Sequence, residues 1–436
     1  MIATIIICAL TCVAMIIFIL VKPTIKIKKV KLDTYWIISL TGAVILLVGG
    51  FCDYKYVWEA LIADNGVNPI KILLLFISMM ILSVYLDELG FFAYLASVAL
   101  KHANKSQYKL FLYLYIAVSV LTVFTSNDII ILSFTPFICY FAKHAKISPM
   151  PYLASEFVAA NTWSMALIIG NPTNIYLCST YGIDFIEYIK TMILPTVVGG
   201  TVAFIALFIM FHKKLKEPIV IDGTVRTIEN KPGLIIGIIF LSVCTVLLAV
   251  SSYIGLEMYF ASVCCVAGLI VSALILSLLR RRKPIEIGKC FKRAPWQLIP
   301  FVISMFVIVT AFDSSGITDK ISDLLGSGEQ TVFVYGLSSL LASNVINNIP
   351  MSVLYCSVIK SVPTEFMKSA VYSTVVGSNI GAFLTPIGAL AGIMWSSILK
   401  EHGLKFGYVD FLKMGIFIAL PTAIATLGVL YLVFVV

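Results

Sequence analysis

Long apolar runs separated by short polar segments dominate this chain. Runs of about 17 to 25 apolar residues recur along nearly its whole length, and each can cross a hydrocarbon core of roughly 30 Å as a helix. Ten such spans are counted, together with two irregular regions. The pattern predicts an all-α polytopic membrane protein.

Six of the predicted spans are uninterrupted, and four contain polar or helix-breaking residues. The uninterrupted spans are 2–20, 35–52, 191–211, 233–250, 259–279 and 414–434. The interrupted spans are 70–100, 152–181, 298–325 and 366–399. Their breaks are at 87–90, 170–174, 313–316 and 377–386, respectively. Discontinuous helices commonly form the binding sites of secondary carriers, so the breaks are the first places to look for function.

Two regions are too short to be spans. Residues 110–124 and 129–142 are flanked at both outer ends by lysine, Lys109 and Lys143. This arrangement predicts a re-entrant helical hairpin, 110–142, that enters from the cytoplasm and turns at 125–128. The region 331–360 repeats the pattern from the outer face and turns at 343–348.

The order of these elements suggests a duplicated unit. Residues 1–215 run span, span, broken span, hairpin, broken span, span, and residues 233–436 repeat that order after a basic cytoplasmic linker, 216–232. Because each half crosses the membrane five times, an odd number, the second copy has the opposite orientation to the first. We therefore predict two inverted repeats of five transmembrane helices, each with one re-entrant hairpin. The alternative of twelve ordinary helices would leave polar side chains facing lipid at mid-depth.

Composition and charge agree with a membrane protein and give it an orientation. The chain is 60% hydrophobic and 12% charged, against roughly 25% charged in soluble domains. In this topology, 25 of the 31 lysines and arginines fall on one side, which becomes the cytoplasmic side. The net charge of +9 is thus an orientation signal, not a nucleic-acid surface. Both termini are predicted to lie outside, and the first apolar run is a retained helix because its lysines follow it.

The two predicted hairpin tips carry the main candidate site residues. These are Ser126, Asn127 and Asp128 at the first tip, with Ser343, Asn344 and Asn347 at the second. Their hydroxyl and amide groups can bind a cation or a small oxygen-rich solute at exposed helix ends. Simple capping of the returning helices is the alternative. Asp128 is the strongest candidate, because an intramembrane carboxylate usually has a function.

The breaks opposite the tips add further candidates. They are Gly170, Asn171 and Thr173 in the first half, Ser378 and Asn379 in the second, and Asn161 with Thr162 earlier in the fourth span. Sodium is a possible ligand at Ser126, Asn127, Asn344 and Asn379. Glu156 is expected to line a cytoplasmic vestibule rather than to couple an ion. Asp87, Glu88 and Asp313 are expected to stabilise helix ends.

Metal and enzyme chemistry find no support in the sequence. The ten cysteines have no C-x-x-C spacing, and the four histidines all fall in predicted cytoplasmic loops. We expect no metal site, no cofactor and no enzymatic activity.

The motifs resemble those of the arsenite permease branch of the ion transporter superfamily, which is related to the divalent-anion/sodium symporters. The resemblance rests on 126–128, 134–136, 160–162 and 170–174 in the first half, and on 343–350, 377–381 and 384–391, which includes Thr385, with Trp395 in the second. It is colinear across nearly the whole chain.

This resemblance implies efflux of arsenite and antimonite across the plasma membrane, coupled to protons or driven by a cytoplasmic ATPase partner. It also implies a homodimer. The chain has Asn161 and Asn379 where arsenite exporters have aspartate, which leaves Asp128 as the tip carboxylate. Dicarboxylate relatives have Ser-Asn-Thr at both tips, whereas the third positions here are Asp128 and Val345.

The sequence thus predicts a secondary exporter of arsenite or antimonite that alternates access and uses H+ or Na+ as coupling ion. The substrate would be a small inorganic oxyanion or neutral oxyacid. The alternatives are a sodium-coupled carrier of a small anion, a sodium/proton antiporter of the same fold, and a passive channel.

Overall fold

The computed structural model describes residues 2–22, 24–27, 30–52, 54–62, 68–103, 106–217, 219, 227–251, 253–294 and 296–435. Residues 218 and 220–226 of the predicted cytoplasmic linker, 216–232, lie outside the described residues.

Helices form nearly all of the described chain. Those of the first half are α1 (Ile2–Val21), α2 (Thr34–Val48), α3 (Tyr54–Ile62), α4 (Pro69–Glu88), α5 (Phe91–His102), α6 (Gln107–Phe124), α7 (Asn127–Ala145), α8 (Met150–Trp163), α9 (Pro172–Thr180) and α10 (Phe185–Phe211). Those of the second half are α11 (Lys231–Val250), α12 (Met258–Leu279), α13 (Ile285–Arg293), α14 (Leu298–Ser314), α15 (Ile317–Leu325), α16 (Thr331–Ile346), α17 (Asn348–Ile359), α18 (Thr364–Gly381), α19 (Leu390–Glu401) and α20 (Tyr408–Val435). The predicted all-α polytopic fold class is confirmed.

Seven helical stretches among the described residues are long and apolar enough to cross a membrane. They are α4, α6, α10, α11, α12, the stretch Ile285–Ser314 and α20. Several of these helices present large apolar side chains on their outer surface; Val246 of α11 and Val271 of α12 are 61% and 55% exposed. Such faces are stable only against lipid or another apolar surface.

A small antiparallel sheet lies between α1 and α2, in a chain for which the sequence predicts only helices. Strand β1 (Thr24–Ile27) pairs with β2 (Val30–Asp33), with Thr24 opposite Asp33. Polar residues, Thr24 and Lys26 in β1 and Lys31 and Asp33 in β2, alternate with apolar ones along both strands, which is the period-two pattern of a strand.

The breaks predicted in the third and eighth spans are present. Gly90 between α4 and α5 and Gly316 between α14 and α15 both have a left-handed backbone, with φ of 80° and 66°, which favours glycine. Each break follows a helix of nearly full span length, so it lies towards the end of the span rather than at its middle. Arg293 pairs with both Asp87 and Glu88 at the first break, at 2.7 and 2.5 Å, as expected for helix-end stabilisation.

The two predicted hairpin turns are shorter than expected. Helices α6 and α7 contain 18 and 19 residues, and only Thr125 and Ser126 separate them, so Asn127 and Asp128 begin α7. A single residue, Asn347 with φ of 72°, joins α16 to α17. Because α6 is long enough to span a membrane, its length no longer argues for re-entrance, which stays a prediction.

The breaks in the fourth and tenth spans overlap only in part with the predicted ones, 170–174 and 377–386. Helix α8 ends at Trp163, and a short 3-10 helix, Ile168–Gly170, precedes α9. Helix α18 stays helical through Gly381 and breaks only at 382–389. Gly377 and Gly381 were interpreted as the start of a break, but they pack against α16: an added Cβ would lie 2.0 Å from Ser339 Oγ and 2.3 Å from Ser343 Oγ, respectively. These glycines permit close helix packing.

Corresponding helices of the two halves make matching contacts. Helix α6 packs on α8 as α16 packs on α18, and α7 packs on α19 as α17 packs on α9. Likewise α4 packs on α12 as α14 packs on α2, while α10 packs on its own counterpart, α20. Two copies of one unit would give this pattern. The repeat boundaries, 1–215 and 233–436, and the inversion of the second copy remain predictions, and the contacts show that the two parts interlock.

The helices also group into two packed sets. The first set contains α1, α2, α4, α11, α12 and α14, and the second contains α6 to α10 with α16 to α20. Helices α5 and α15 follow the glycine breaks Gly90 and Gly316 and connect the first set to the second along the chain. All the candidate site residues lie in the second set or in its connections.

Candidate functional site

The first tip contains buried oxygens that have no protein partner. Ser126 precedes α7 as its N-cap residue, but its side chain makes no capping hydrogen bond. Within the described residues, Ser126 Oγ, Asn127 Oδ1 and Thr162 Oγ1 are buried and without a hydrogen-bond partner. Most buried polar atoms in proteins are paired, so three such atoms on two adjacent helices indicate a place for a ligand.

Asn127 connects this tip to α8. Its Nδ2 donates to Asn161 Oδ1 at 2.9 Å, and Asn161 Nδ2 donates to the Phe157 carbonyl at 2.8 Å. These two bonds hold the Asn127 amide so that its own oxygen stays open. Two predicted site residues, Asn127 and Asn161, are therefore brought together, and Thr162 follows Asn161 on α8.

Asp128 lies in the first turn of α7 and is only 7% exposed. Its carboxylate makes no ion pair or hydrogen bond among the described residues, although Tyr35 of α2 is close enough to interact with it electrostatically. A helix N-terminus is favourable for a negative charge. The carboxylate is thus free to bind a cation, a proton or a hydroxyl-bearing solute.

Asn379 is the centre of a second group that joins the two halves. Its Oδ1 accepts from Ser164 Oγ at 2.8 Å and from Asn171 Nδ2 at 3.0 Å. Its Nδ2 donates to Asn174 Oδ1 at 2.7 Å and to the Val375 carbonyl at 2.8 Å. Every hydrogen-bonding position of this amide is occupied in this conformation, which leaves no oxygen lone pair for sodium.

Neighbouring residues complete this central group. Ser378 Oγ donates to Thr173 Oγ1 at 2.8 Å, and Asn171 Oδ1 caps α9 by accepting from the Thr173 backbone N–H at 3.2 Å. A Cβ on Gly170 would lie 2.2 Å from the Ser164 carbonyl, so this position requires glycine. These predicted residues are together, but they bond to one another.

The side chains of the second tip also form hydrogen bonds with other groups of the protein. Asn344 Nδ2 donates to the carbonyls of Leu340 and Gly381 at 2.8 and 3.0 Å, and Thr385 Oγ1 donates to Asn344 Oδ1 at 2.6 Å. Asn347 Nδ2 donates to the Ile387 carbonyl at 2.9 Å.

Ser343 Oγ donates to the Leu340 carbonyl within α16. The two tips, which have similar sequences, therefore differ: the first leaves oxygens open, whereas the second binds its own backbone.

Sequence reasoning missed three residues of functional interest. Ser164 and Asn174 hold Asn379 across the two halves, and no local pattern could have indicated a contact over 205 residues of sequence or more. Glu156, which was expected to line a vestibule, is instead fully buried. Thr135 Oγ1 donates to both of its oxygens, at 2.8 and 3.0 Å.

The electrostatic character of the site is that of neutral dipoles with one carboxylate. None of the predicted site residues is a lysine, arginine or histidine. The described part of the chain contains no group of three or more His, Cys, Asp or Glu side chains that could hold a metal. The site suits a neutral hydroxyl-bearing solute or a monovalent cation better than a bare polyanion.

Comparisons with known proteins identify the class of molecule. Residues 2–371 match the family model described as citrate transporter, CitMHS. The arsenical pump membrane protein of Escherichia coli is 27% identical over 415 residues, which cover 90% of this chain and 92% of that protein. The arsenical pump membrane protein of Yersinia enterocolitica is 26% identical over 414 residues, covering 91% and 93%. The resemblance to arsenite permeases is confirmed.

A solved structure shows the same fold. The crystal structure of the YdaH transporter of Alcanivorax borkumensis aligns with a TM-score of 0.56, 12% identity and coverage of 99% of this chain and 97% of that one. Together with the apolar helices, these matches show a multi-pass membrane transporter. The chain belongs to the CitMHS citrate transporter family.

Proposed function

We propose that this protein is a secondary exporter of arsenite and antimonite that is driven by an ion gradient and works by alternating access. The observation that carries the proposal is the open first tip: the unpartnered buried oxygens of Ser126 and Asn127 directly precede the free carboxylate of Asp128, and Thr162 of α8 has a third such oxygen. The arsenical pump proteins that resemble this chain over nine-tenths of its length support the substrate.

The charge of the site favours a neutral oxyacid. Arsenous acid is uncharged near neutral pH and carries three hydroxyl groups, each of which can donate and accept hydrogen bonds. Ser126 Oγ, Asn127 Oδ1 and Thr162 Oγ1 supply acceptors, and the Asp128 carboxylate is a stronger one. A citrate ion at this place would meet a carboxylate and no basic side chain, which is unfavourable without bound cations.

The second candidate is a sodium-coupled carrier of a small anion, or a sodium/proton antiporter of the same fold. The family description favours citrate, and hydroxyl and amide oxygens are also the ligands that hard cations prefer. Sodium bound by Ser126, Asn127 and Asp128 would neutralise the Asp128 carboxylate and present a cation to an incoming anion. The two candidates therefore differ in whether sodium is needed for substrate to bind.

The grouping of the helices suggests how access alternates. In our proposal, the second set, α6 to α10 with α16 to α20, moves against the first set, and the glycine breaks at Gly90 and Gly316 accommodate the movement. Lys360 pairs with Asp313 of α14 at 3.3 Å and links the two sets in the conformation described here. That pair would break when the sets move.

The cellular setting is part of the same proposal. We place the protein in the plasma membrane with both termini outside and most of its basic loops in the cytoplasm. A homodimer through the first set, and a cytoplasmic ATPase bound to the basic loops, are further expectations from the resemblance.

Expression in arsenite-sensitive bacterial cells tests the proposal. Cells with the wild-type protein should grow at higher arsenite concentrations and retain less arsenite than cells with an empty vector. Asp128→Asn should abolish both effects, while the control Asp323→Asn, at an exposed residue of α15, should preserve them. Equal sensitivity of wild-type and empty-vector cells at equal protein levels would contradict the proposal.

A further inference from the structure

Glu156 is a second buried carboxyl group, and the site described above does not use it. It lies on α8, five residues before Asn161, and is fully buried. Thr135 of α7 donates to both of its oxygens, and the Trp395 side chain of α19 interacts with it from the other half of the chain. Three helices from both halves therefore enclose this one carboxyl group.

No basic side chain compensates its charge. Lysine, arginine and histidine are absent from the interactions of Glu156 in the described part of the chain. The Cys139 thiol of α7 is the titratable neighbour in electrostatic range. The tyrosines of the other packed helices bond elsewhere: Tyr115 of α6 donates to Gly200, and Tyr188 of α10 donates to Met165. Asp128 lies two helical turns before Thr135 on α7.

A carboxylate in such a place is stable only if it binds a proton. Burying an ionised carboxyl group without a cation costs several kcal/mol, and one hydroxyl donor does not offset that cost. A conformational change that admits water removes the penalty and lets the proton leave. Proton binding at Glu156 is thereby linked to whether α7, α8 and α19 are closed around it.

Aromatic side chains enclose this carboxyl group from the α19 and α20 side. Trp395 stacks on Phe157 with a centroid distance of 4.9 Å and meets Phe411 edge-on at 5.6 Å. Its indole Nε1 has no hydrogen-bond partner that satisfies normal geometry. These rings help to keep water away from the carboxyl group, which is fully buried.

The second half has no equivalent group. Asn161 and Asn379 occupy matching positions, since each donates its Nδ2 to the carbonyl four residues earlier. Five residues before Asn379 stands Thr374, whose hydroxyl bonds to Ala370 within α18. Glu156 therefore has no matching carboxyl group at the corresponding position of the second half. This asymmetry is expected of a group that exchanges its proton with one side of the membrane.

We infer that Glu156 carries the coupling proton: it is protonated while enclosed by α7, α8 and α19, and it releases that proton to the cytoplasm when the movement of the second set against the first opens the packing of these helices to water. This inference rests on the proposed function. One proton enters for each arsenous acid molecule exported, so transport of the neutral substrate moves one positive charge inward. Asp128 then binds substrate, and the two carboxyl groups have separate roles.

Proteoliposomes can separate these roles. Arsenite counterflow, in which labelled arsenite exchanges for unlabelled arsenite without an ion gradient, requires binding and movement but no net proton transfer. Accumulation driven by a pH gradient requires the proton site. We compare wild type, Glu156→Gln and the control Glu187→Gln, which removes a half-buried carboxylate paired with Lys368 in the first turn of α10.

The expected result is counterflow by all three proteins, with loss of pH-driven accumulation in Glu156→Gln to the level measured without a gradient. Accumulation by Glu156→Gln at the wild-type level would overturn the inference, as would wild-type counterflow without any pH-driven accumulation. Absence of wild-type counterflow would instead overturn the proposed function and this inference with it. Counterflow by the variant also shows that it is folded.

Infrared difference spectra of the wild-type protein provide an independent readout. Arsenite is added at a pH at which Glu156 can gain or lose its proton. This addition should alter the C=O stretch of a protonated carboxylic acid, and Glu156→Gln should remove that signal. Thr135→Val should preserve the signal but shift the pH of half-maximal accumulation, because it removes the hydroxyl donor of Glu156. An unchanged signal in Glu156→Gln would overturn the inference.

Discussion

Asn379 Nδ2 of α18 donates to Asn174 Oδ1 of α9 at 2.7 Å, which joins two residues 205 positions apart in sequence. The same amide accepts from Ser164 and Asn171, so one side chain fastens α8 and α9 to the second half. The discontinuous helices of the two halves therefore meet through amides that bond to each other. The open ligand positions lie at one side of this junction, at the first tip.

Removing the Asn379 amide should destabilise the protein. Asn379→Ala leaves the buried Asn171 Nδ2 and Asn174 Oδ1 without the partner that Asn379 provides, and each such loss costs about 1–3 kcal/mol. Ser164 Oγ keeps its bond to the Asn161 carbonyl. We expect a loss of about 3 kcal/mol, measured by chemical unfolding in detergent. Thr374→Val on the same helix removes only one local bond and should cost less than about 1 kcal/mol. Equal effects of the two variants would contradict the role of Asn379 as a junction.

Thr162→Val should separate binding from stability. The Thr162 hydroxyl has no partner in the protein, so an apolar group of the same shape is expected to leave stability unchanged or slightly raised. If this oxygen contacts the ligand, arsenite flux should fall about tenfold, the effect of losing about 1.4 kcal/mol of binding. The measurement pairs a flux assay with thermal unfolding. A stable variant with wild-type flux would exclude Thr162 from the site.

Gly377→Ala should loosen the contact between α16 and α18. The added methyl group would lie 2.0 Å from Ser339 Oγ and 2.3 Å from the Gly336 carbonyl, and backbone cannot move aside easily. We expect destabilisation of about 1–3 kcal/mol in the unfolding assay. The control is Gly428→Ala in α20, where nothing lies within 4 Å and the alanine should stabilise the helix by up to about 1 kcal/mol. Stabilisation by both substitutions would contradict the close packing of α18 against α16 at Gly377.

Arg293→Gln should weaken the attachment of α13 to the end of α4. Arg293 pairs with Asp87 and Glu88, whose side chains are 11% and 9% exposed, but its own side chain is 36% exposed. Solvent screening limits the expected loss to about 1 kcal/mol, and high salt should reduce the difference from wild type. Lys289→Gln, whose ammonium group lies 3.4 Å from Glu88 and is more exposed, should have a smaller effect. A loss that is independent of salt would contradict an electrostatic cause.

The sequence predicted the spans and the helix-ending glycines well because those signals are local. An apolar run must be helical in lipid, and Gly90 and Gly316 supply a backbone conformation that other residues rarely adopt. The alternating pattern of β1 and β2 is also a local signal. Its lysines indicate the cytoplasmic side of the membrane as well, and that interpretation by itself predicts no strand.

The exact tips and breaks depended on tertiary packing. Gly377 and Gly381 have the composition of a break, yet the close approach of α16 keeps them helical. Ser126 and Ser343 stand in similar motifs, but only Ser126 Oγ is left unpartnered, because Ser343 bonds within α16. The predicted site residues are thus grouped by the structure, while their binding roles remain predictions.

The central claim is tested most directly by arsenite counterflow in proteoliposomes that contain only the purified protein. The account predicts saturable, sodium-independent counterflow in the wild type and none in Asp128→Asn, with Asp323→Asn unchanged. Counterflow no faster than in protein-free liposomes, together with sodium-dependent movement of citrate, would contradict it and establish the anion carrier instead.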